Sequence, residues 1–297
     1  MRVTDKLRWD VSKKKLSSLN EKISTLQEQI SAQTKILRPS DDPVIYARSV
    51  QMTSEKNLNT QYKRNFNRLS AFAGTYETVF DGMKDLLSTA KQLAVTQSSD
   101  QMDAASRKTA AVQIEGMIEN LVTLGNAKVG NAYAFGGKKS DTVAFVLDET
   151  DYSVTFNGSD DVPEVYVDGS TKEKLGMSGK SAFYNGDTVS VFGALKELKE
   201  ALEDNDGDAI RTAMGSIDKA LDLTANNVAY IGTYSKTIET LTTQNSAKGD
   251  LLTTTMSDMT DADMIQLVTE FHMLSNAYEA ASSSLSTIMK LSILNYL

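Results

Sequence analysis

Residues 264–288 read MIQLVTEFHMLSNAYEAASSSLSTI, and their pattern indicates the fold class. Large apolar residues recur at alternating steps of three and four, which is the spacing of a single apolar stripe along an α-helix. The stripe consists of Met264, Leu267, Phe271, Leu274, Tyr278, Ala281, Leu285 and Ile288, and Leu294 and Leu297 prolong it. Because apolar surface is driven out of water, we predict that this helix packs against other helices.

A matching stripe lies near the N-terminus. It consists of Leu16, Leu19, Ile23, Leu26, Ile30 and Leu37. Pro39 disfavours helical angles at the residue before it, so we predict that this first helix ends near Leu37. Asp42 and Pro43 suit the cap and the first position of the next helix. The two stripes together predict an assembly interface built from both ends of the chain.

The middle of the chain predicts long helices with a small β-rich insertion. The same three-four spacing predicts a helix over 43–97, and a second helix runs to about residue 128. The stripe of the first consists of Leu58, Tyr62, Asn65, Leu69, Phe72, Tyr76, Val79, Met83, Leu86, Ala90, Leu93 and Gln97. Helical spacing resumes at Val191 and is still present at Ile238.

Short apolar runs separated by Asn-Gly and Asp-Gly pairs indicate strands between the two helical regions. We therefore predict a mainly α fold: a long antiparallel helical rod or coiled-coil bundle formed by the N- and C-terminal regions, with a small β-rich inserted domain. The predicted segments are an N-terminal assembly helix (1–42), the first half of the rod (43–137), the insert (138–189), the second half of the rod (190–255) and a C-terminal assembly helix (256–297).

The charge is unevenly distributed along the chain. The net charge of -8 argues against general nucleic-acid binding, because affinity for polyanions comes mainly from lysine and arginine. Residues 1–40 nevertheless carry about +5, and residues 256–297 about -4. The two ends are therefore electrostatic complements.

The residues that catalysis or metal binding would need are nearly absent from the sequence. The chain has no cysteine and a single histidine, His272, which lies within the C-terminal helical pattern. The acidic run at 204–208 has the wrong spacing for a calcium loop and indicates a solvated turn. We therefore expect no enzyme activity, no metal and no cofactor. We also expect no membrane span and no cleaved signal peptide, since the first eleven residues contain no apolar run.

Three motifs resemble the bacterial flagellin superfamily and, within it, the proteins of the hook-filament junction. Residues 38–44 read RPSDDPV, residues 130–137 read GNAYAFGG, and residues 291–297 read LSILNYL. The first motif contains the family residues Pro39, Ser40, Asp41, Asp42 and Pro43. The resemblance covers both ends of the chain and hardly covers the β-rich insert.

The resemblance implies a structural protein that is exported by the flagellar type III apparatus and assembles outside the cell. It implies contacts with further copies of itself, with another hook-associated protein on the hook side and with flagellin on the filament side, and an export chaperone. Two alternatives stay open: a filament-forming flagellin, and an intracellular helical scaffold unrelated to flagella. We also hypothesise that both terminal segments are mobile in the free monomer, because a lone striped helix is only marginally stable.

Overall fold

A computed structural model describes residues 2–186 and 189–294, with side chains described outside 2–6, 8, 189 and 288–294. The helices are α1 (Arg2–Ala32), α2 (Pro43–Gln97), α3 (Ala104–Gly125), α4 (Gly179–Phe183), α5 (Val191–Glu203), α6 (Gly207–Thr260) and α7 (Met264–Leu294). The strands are β1 (Lys128–Val129), β2 (Ala132–Tyr133), β3 (Phe145–Leu147), β4 (Val154–Phe156), β5 (Glu164–Tyr166), β6 (Lys172–Lys174), β7 (Tyr184–Asn185) and β8 (Val189–Ser190). Consecutive strands pair into four antiparallel two-stranded sheets. The prediction of a mainly α fold with a small β-rich insert is confirmed.

The chain divides into two compact units. Unit 1 comprises Met1–Asn59 and Ala247–Leu297, and unit 2 comprises Thr60–Ser246. Helices α2 and α6 each run through a boundary between these units. The five segments predicted from the sequence stay a prediction.

Helix α2 has a heptad pattern that buries two columns of side chains, where the sequence predicted one stripe. One buried column consists of Leu69, Tyr76, Met83, Ala90 and Gln97, and a second consists of Asn59, Phe66, Ala73, Phe80, Leu87 and Ala94. The predicted stripe is wrong at Leu58. This side chain is 47% exposed, while the next residue, Asn59, is buried. Over residues 60–97 both columns are needed because the core of unit 2 covers the helix on more than one side.

The helix ends follow the rules of capping. Asp42 Oδ1 accepts hydrogen bonds from the backbone N–H groups of Val44 and Ile45, each at 3.0 Å, and α2 begins at Pro43. This confirms the predicted cap. In the turn before α6, Asp206 Oδ1 accepts from Asp208 N at 2.9 Å and the turn is exposed, as the acidic run at 204–208 predicted.

Arg107 joins two turns at one end of unit 2. The residue is only 5% exposed, and its guanidinium donates to the backbone oxygens of Gln97 (3.0 Å), Ser99 (3.0 Å) and Asn205 (2.8 Å). Three carbonyl groups at the ends of α2 and α5 thus gain a charged donor, which a helix C-terminus favours.

The insert is built around a cluster of phenylalanines. Phe135, Phe145 and Phe183 are fully buried, with ring centroids 4.6 Å apart for Phe145 and Phe183 and 5.1 Å apart for Phe135 and Phe183. Its first strands, β1 and β2, begin at Lys128, ten residues before the predicted start at Lys138. The predicted start of the insert at Lys138 stays a prediction, since two-residue strands leave no alternating pattern that would mark a boundary.

Two tyrosines attach the insert to the long helices. Tyr76 of α2 donates its hydroxyl to Ala134 O at 2.7 Å and accepts from Met177 N at 3.3 Å. Tyr234 of α6 donates to Lys174 O at 2.6 Å and accepts from Gly176 N at 3.3 Å. Gly176 has a φ of +91° and lies so close to the Tyr76 ring that a side chain there would collide with it.

We predict that Tyr76→Phe lowers the free energy of unfolding of unit 2 by about 1–3 kcal/mol, because two backbone groups lose their buried partner. Urea unfolding followed by circular dichroism measures the change. Tyr230→Phe is the matched control, since the Tyr230 side chain on α6 is 48% exposed. Equal midpoints for the two variants would contradict the anchoring role of Tyr76.

Alkaline pH should weaken the same attachment. Burial raises the pKa of both Tyr76 and Tyr234 above the ordinary value of about 10. As pH rises above that ordinary value, the unfolded chain loses these protons before the folded chain does, so the free energy of unfolding falls. We expect the fall between about pH 9 and 12 to be shallower in Tyr76→Phe. Parallel curves for the two proteins in urea titrations would contradict this.

Candidate assembly interface

The two terminal helices pack against each other within unit 1. An antiparallel bridge between Thr34 and Asp261 joins the segment that follows α1 to the one that precedes α7. Because α1 leads into this bridge and α7 leads out of it, the two helices run in opposite directions. They form what we call the terminal pair.

Three hydrogen bonds cross the bridge, and a fourth, from Ser257 to Asp261, lies within one of its two segments. Lys35 N donates to Thr260 O at 2.9 Å, and Ala262 N donates to Gln33 O at 3.2 Å. The Thr34 hydroxyl adds a bond to Thr260 O at 2.8 Å, and the Ser257 hydroxyl donates to the Asp261 carboxylate. Helix α1 therefore ends, and α6 gives way to α7, at the level of this bridge.

The apolar stripe of α1 faces this contact but is only partly covered. Leu26 is buried, while the other predicted members are half-buried: Leu16, Leu19, Ile23, Ile30 and Leu37. Leu37 lies beyond the helix, because α1 ends at Ala32 and not near Leu37 as predicted. Gln33 adopts a φ of +56°, which ends the helix before Pro39 can act.

The apolar stripe of α7 is similar. Its described members are all half-buried: Met264, Leu267, Phe271, Leu274, Tyr278, Ala281 and Leu285. The side chains of Ile288 and Leu294 and the whole of Leu297 lie outside the described residues. The structure thus brings the described parts of both stripes into one terminal pair and leaves most of their apolar surface partly open.

The family motif at 39–43 forms the turn that leads from the bridge into α2. The Asp41 carboxylate accepts from Arg38 N at 2.9 Å and Leu37 N at 3.0 Å, and these bonds lower its pKa. Asp42 caps α2, and Pro43 is its first residue. Pro39 and Ser40 are exposed. Asp41 and Asp42 therefore hold the backbone of this turn.

The terminal pair contains the single histidine of the chain. His272 is exposed on α7, with its ring 5.8 Å from that of Phe271. In the part of the chain that the structure describes, no three acidic or histidine side chains gather as metal ligands would. Across residues 2–186 and 189–294, no helix is long and apolar enough to cross a membrane.

Sequence reasoning missed several exposed apolar side chains in unit 1. Ile265 is 82% exposed, Leu7 63% and Met273 61%. None of them lies on the predicted stripes. Testing each terminal helix for a second row with the same spacing could have found Leu7 and Ile265, but not Met273.

Comparisons with known proteins agree with this architecture. The bacterial flagellin N-terminal helical region matches residues 11–139, and the bacterial flagellin C-terminal helical region matches residues 214–297. Flagellar hook-associated protein 3 of Escherichia coli is 24% identical over 290 residues, covering 90% of each chain. Flagellin FljK of Caulobacter vibrioides is also 24% identical, over 288 residues and 93% of each chain.

A solved structure shares the fold. The flagellar junction protein FlgL from Legionella pneumophila superposes with a TM-score of 0.58 at 14% identity, covering 72% of this chain and all of that one. The two flagellin regions together match more than two thirds of the 297 residues, and they contain α1 from residue 11 onward, all of α7 and the motif at 39–43. The chain therefore belongs to the bacterial flagellin family.

Proposed function

We propose that this chain is a structural subunit of the bacterial flagellum that joins the hook to the filament. In this proposal, copies assemble side by side through their terminal helices, contact another hook-associated protein on the hook side and hold the first flagellins on the filament side. The subunit acts outside the cell, after export with the help of a chaperone, and catalyses no reaction.

One observation carries the proposal: the terminal pair leaves its apolar stripes half-open. Of the described stripe residues of the terminal pair, Leu26 alone is buried, at 7% exposure. In unit 2, by contrast, large side chains such as Leu69, Ile114 and Leu195 are fully buried. A surface of half-covered leucines gains free energy when neighbouring subunits complete its burial.

The relatives support a role at the hook-filament junction over other roles within the family. A hook-associated protein and a junction protein are similar to this chain over most of its length. The motif RPSDDPV, which resembles that of junction proteins, forms the turn that caps α2 in the structure. These likenesses are the reason for placing the subunit at the junction.

A filament-forming flagellin is the second candidate, and the similarity to flagellin FljK favours it. The two differ in copy number, because a junction collar needs few subunits while a filament needs thousands. Sheared filaments separated on a stained gel distinguish them. A junction subunit gives a faint band beside a dominant flagellin.

Electron microscopy of a strain that lacks this chain tests the proposal directly. A junction subunit predicts that hooks persist while filaments are found detached in the medium. Reintroducing the gene should restore attached filaments. Filaments that stay attached to hooks in the deletion strain would refute the junction role.

We predict that Leu285→Glu abolishes incorporation into the flagellum. Leu285 is half-buried on the stripe of α7, so a carboxylate there would be desolvated when a neighbour covers it. Ser284→Glu is the matched control, because Ser284 is exposed beside it. Motility in soft agar and blotting of isolated flagella measure the effect.

Unit 2 should stay folded in Leu285→Glu, since it does not contain this residue. Protease-resistant fragments of unit 2 in the purified variant would show this. A Leu285→Glu strain that swims normally and carries the variant in its flagella would rule out the stripe as an assembly surface.

A further inference from the structure

A groove in unit 2 borders one edge of the sheet formed by β3 and β4. It has a volume of about 740 Å³, and its walls come from β4, α4, the β7–β8 hairpin, α5 and α6. Every residue that lines it belongs to unit 2. The groove is therefore separate from the apolar stripes of the terminal pair.

The outer edge of β4 is the edge that borders the groove. In the ladder with β3, Asn157 N donates to Ala144 O at 2.9 Å. Antiparallel ladders bond through alternate residues, so the backbone groups of Thr155 point toward β3. Those of Val154 and Phe156 point away from β3, and both residues line the groove.

This outer edge of β4 is largely open. Val154 O accepts a long hydrogen bond, at 3.5 Å, from the hydroxyl of Tyr184, which also lines the groove. Among the residues that the structure describes, none bonds to the backbone N–H or C=O group of Phe156. Open groups on a strand edge are a template for a further strand.

The outer edge of β3 is closed by a side chain instead. Asn126, which follows α3, donates its amide to Phe145 O at 2.7 Å and accepts from Phe145 N at 2.9 Å. One edge of the two-stranded sheet is thus capped within the chain. The other edge opens onto a groove, which is the arrangement that proteins use to bind an extended peptide by strand addition.

The charges in the groove favour an acidic peptide. Lys180 of α4 and Lys219 of α6 line it, and both side chains are exposed. Neither lysine forms an ion pair with any residue that the structure describes. The lining includes one acid, Glu197 of α5, so its bases outnumber its acids. Complementary charge steers a partner of the opposite sign to such a surface.

We propose that the groove binds an extended acidic segment of another protein, which joins β3 and β4 as a third strand. The backbone of this segment pairs with Val154 and Phe156, and its carboxylates lie near Lys180 and Lys219. The interaction does not involve the terminal helices. It therefore stands or falls independently of the proposed junction role.

Peptide binding to the full chain tests the proposal. The probe is a fluorescein-labelled peptide of alternating valine and glutamate, and the control peptide has lysine in place of each glutamate. Fluorescence anisotropy measures both affinities. We expect the acidic peptide to bind at least about tenfold more tightly than the basic one. Absence of binding by the acidic peptide, or equal affinities for the two, would overturn the proposal.

Two N-methylated versions of the acidic peptide test the strand pairing itself. One carries methyl groups on the amides of its odd-numbered residues, and the other on those of its even-numbered residues. A strand pairs with one neighbour through every second residue, so one set of amides faces β4. We expect one version to lose binding and the other to bind like the parent peptide. Equal affinities for the two versions would exclude strand addition.

Charge variants locate the binding site on the chain. Lys180→Glu and Lys219→Glu should each weaken binding of the acidic peptide roughly three- to tenfold, and Glu197→Gln should tighten it. Lys108→Glu is the matched control, because Lys108 is an exposed lysine of α3 that does not line the groove. An equal loss of affinity in the control would contradict the proposed site.

A second copy of this chain is the other candidate to cover the open edge. Amide hydrogen exchange of Val154 and Phe156, followed by nuclear magnetic resonance, separates the two occupants. We expect these amides to become protected on addition of the acidic peptide and to be unaffected by the concentration of the chain alone. Protection that rises with chain concentration in the absence of peptide would overturn the proposal.

Discussion

The account of this structure depends on how much of their apolar surface two antiparallel helices can bury against each other. Each terminal helix presents one apolar stripe, and two cylinders in contact shield only the strip between them. The stripe residues Ile23 and Leu274 accordingly stay half-buried, and Leu26 alone of the described α1 stripe is buried. The hydrophobic free energy still to be gained scales with the apolar area left open. We therefore expect the terminal pair to gain stability when other surfaces cover it.

Unit 2 differs from the terminal pair in how completely its helices are buried. Helix α2 buries two heptad columns there because other helices and the insert cover it on several sides. Tyr76 and Tyr234 then fix the insert to α2 and α6 through backbone groups of 174–177. One polypeptide thus combines a well-buried core in unit 2 with a pair of helices whose described apolar stripes are mostly half-buried.

The local features could be predicted from the sequence. The stripe at 264–285 and the cap formed by Asp42 and Pro43 depend only on spacing and on neighbouring backbone groups, and both appear in the structure. The end of α1 could not be predicted, because Thr34 pairs with Asp261, more than two hundred residues away. Arg107 was missed for the same reason: its acceptors lie in two separate turns. The interface residues themselves stay a prediction, since only an assembled structure would show which faces meet.

Hydrogen exchange tests most directly whether the terminal pair awaits its neighbours. It would be measured by mass spectrometry on the purified monomer and on isolated flagella. Residues 16–37 and 264–288 should exchange rapidly in the monomer and become protected in the flagellum, while unit 2 is protected in both. Strong protection of both terminal segments in the monomer would contradict the account, because their stripes would already be satisfied within a single copy.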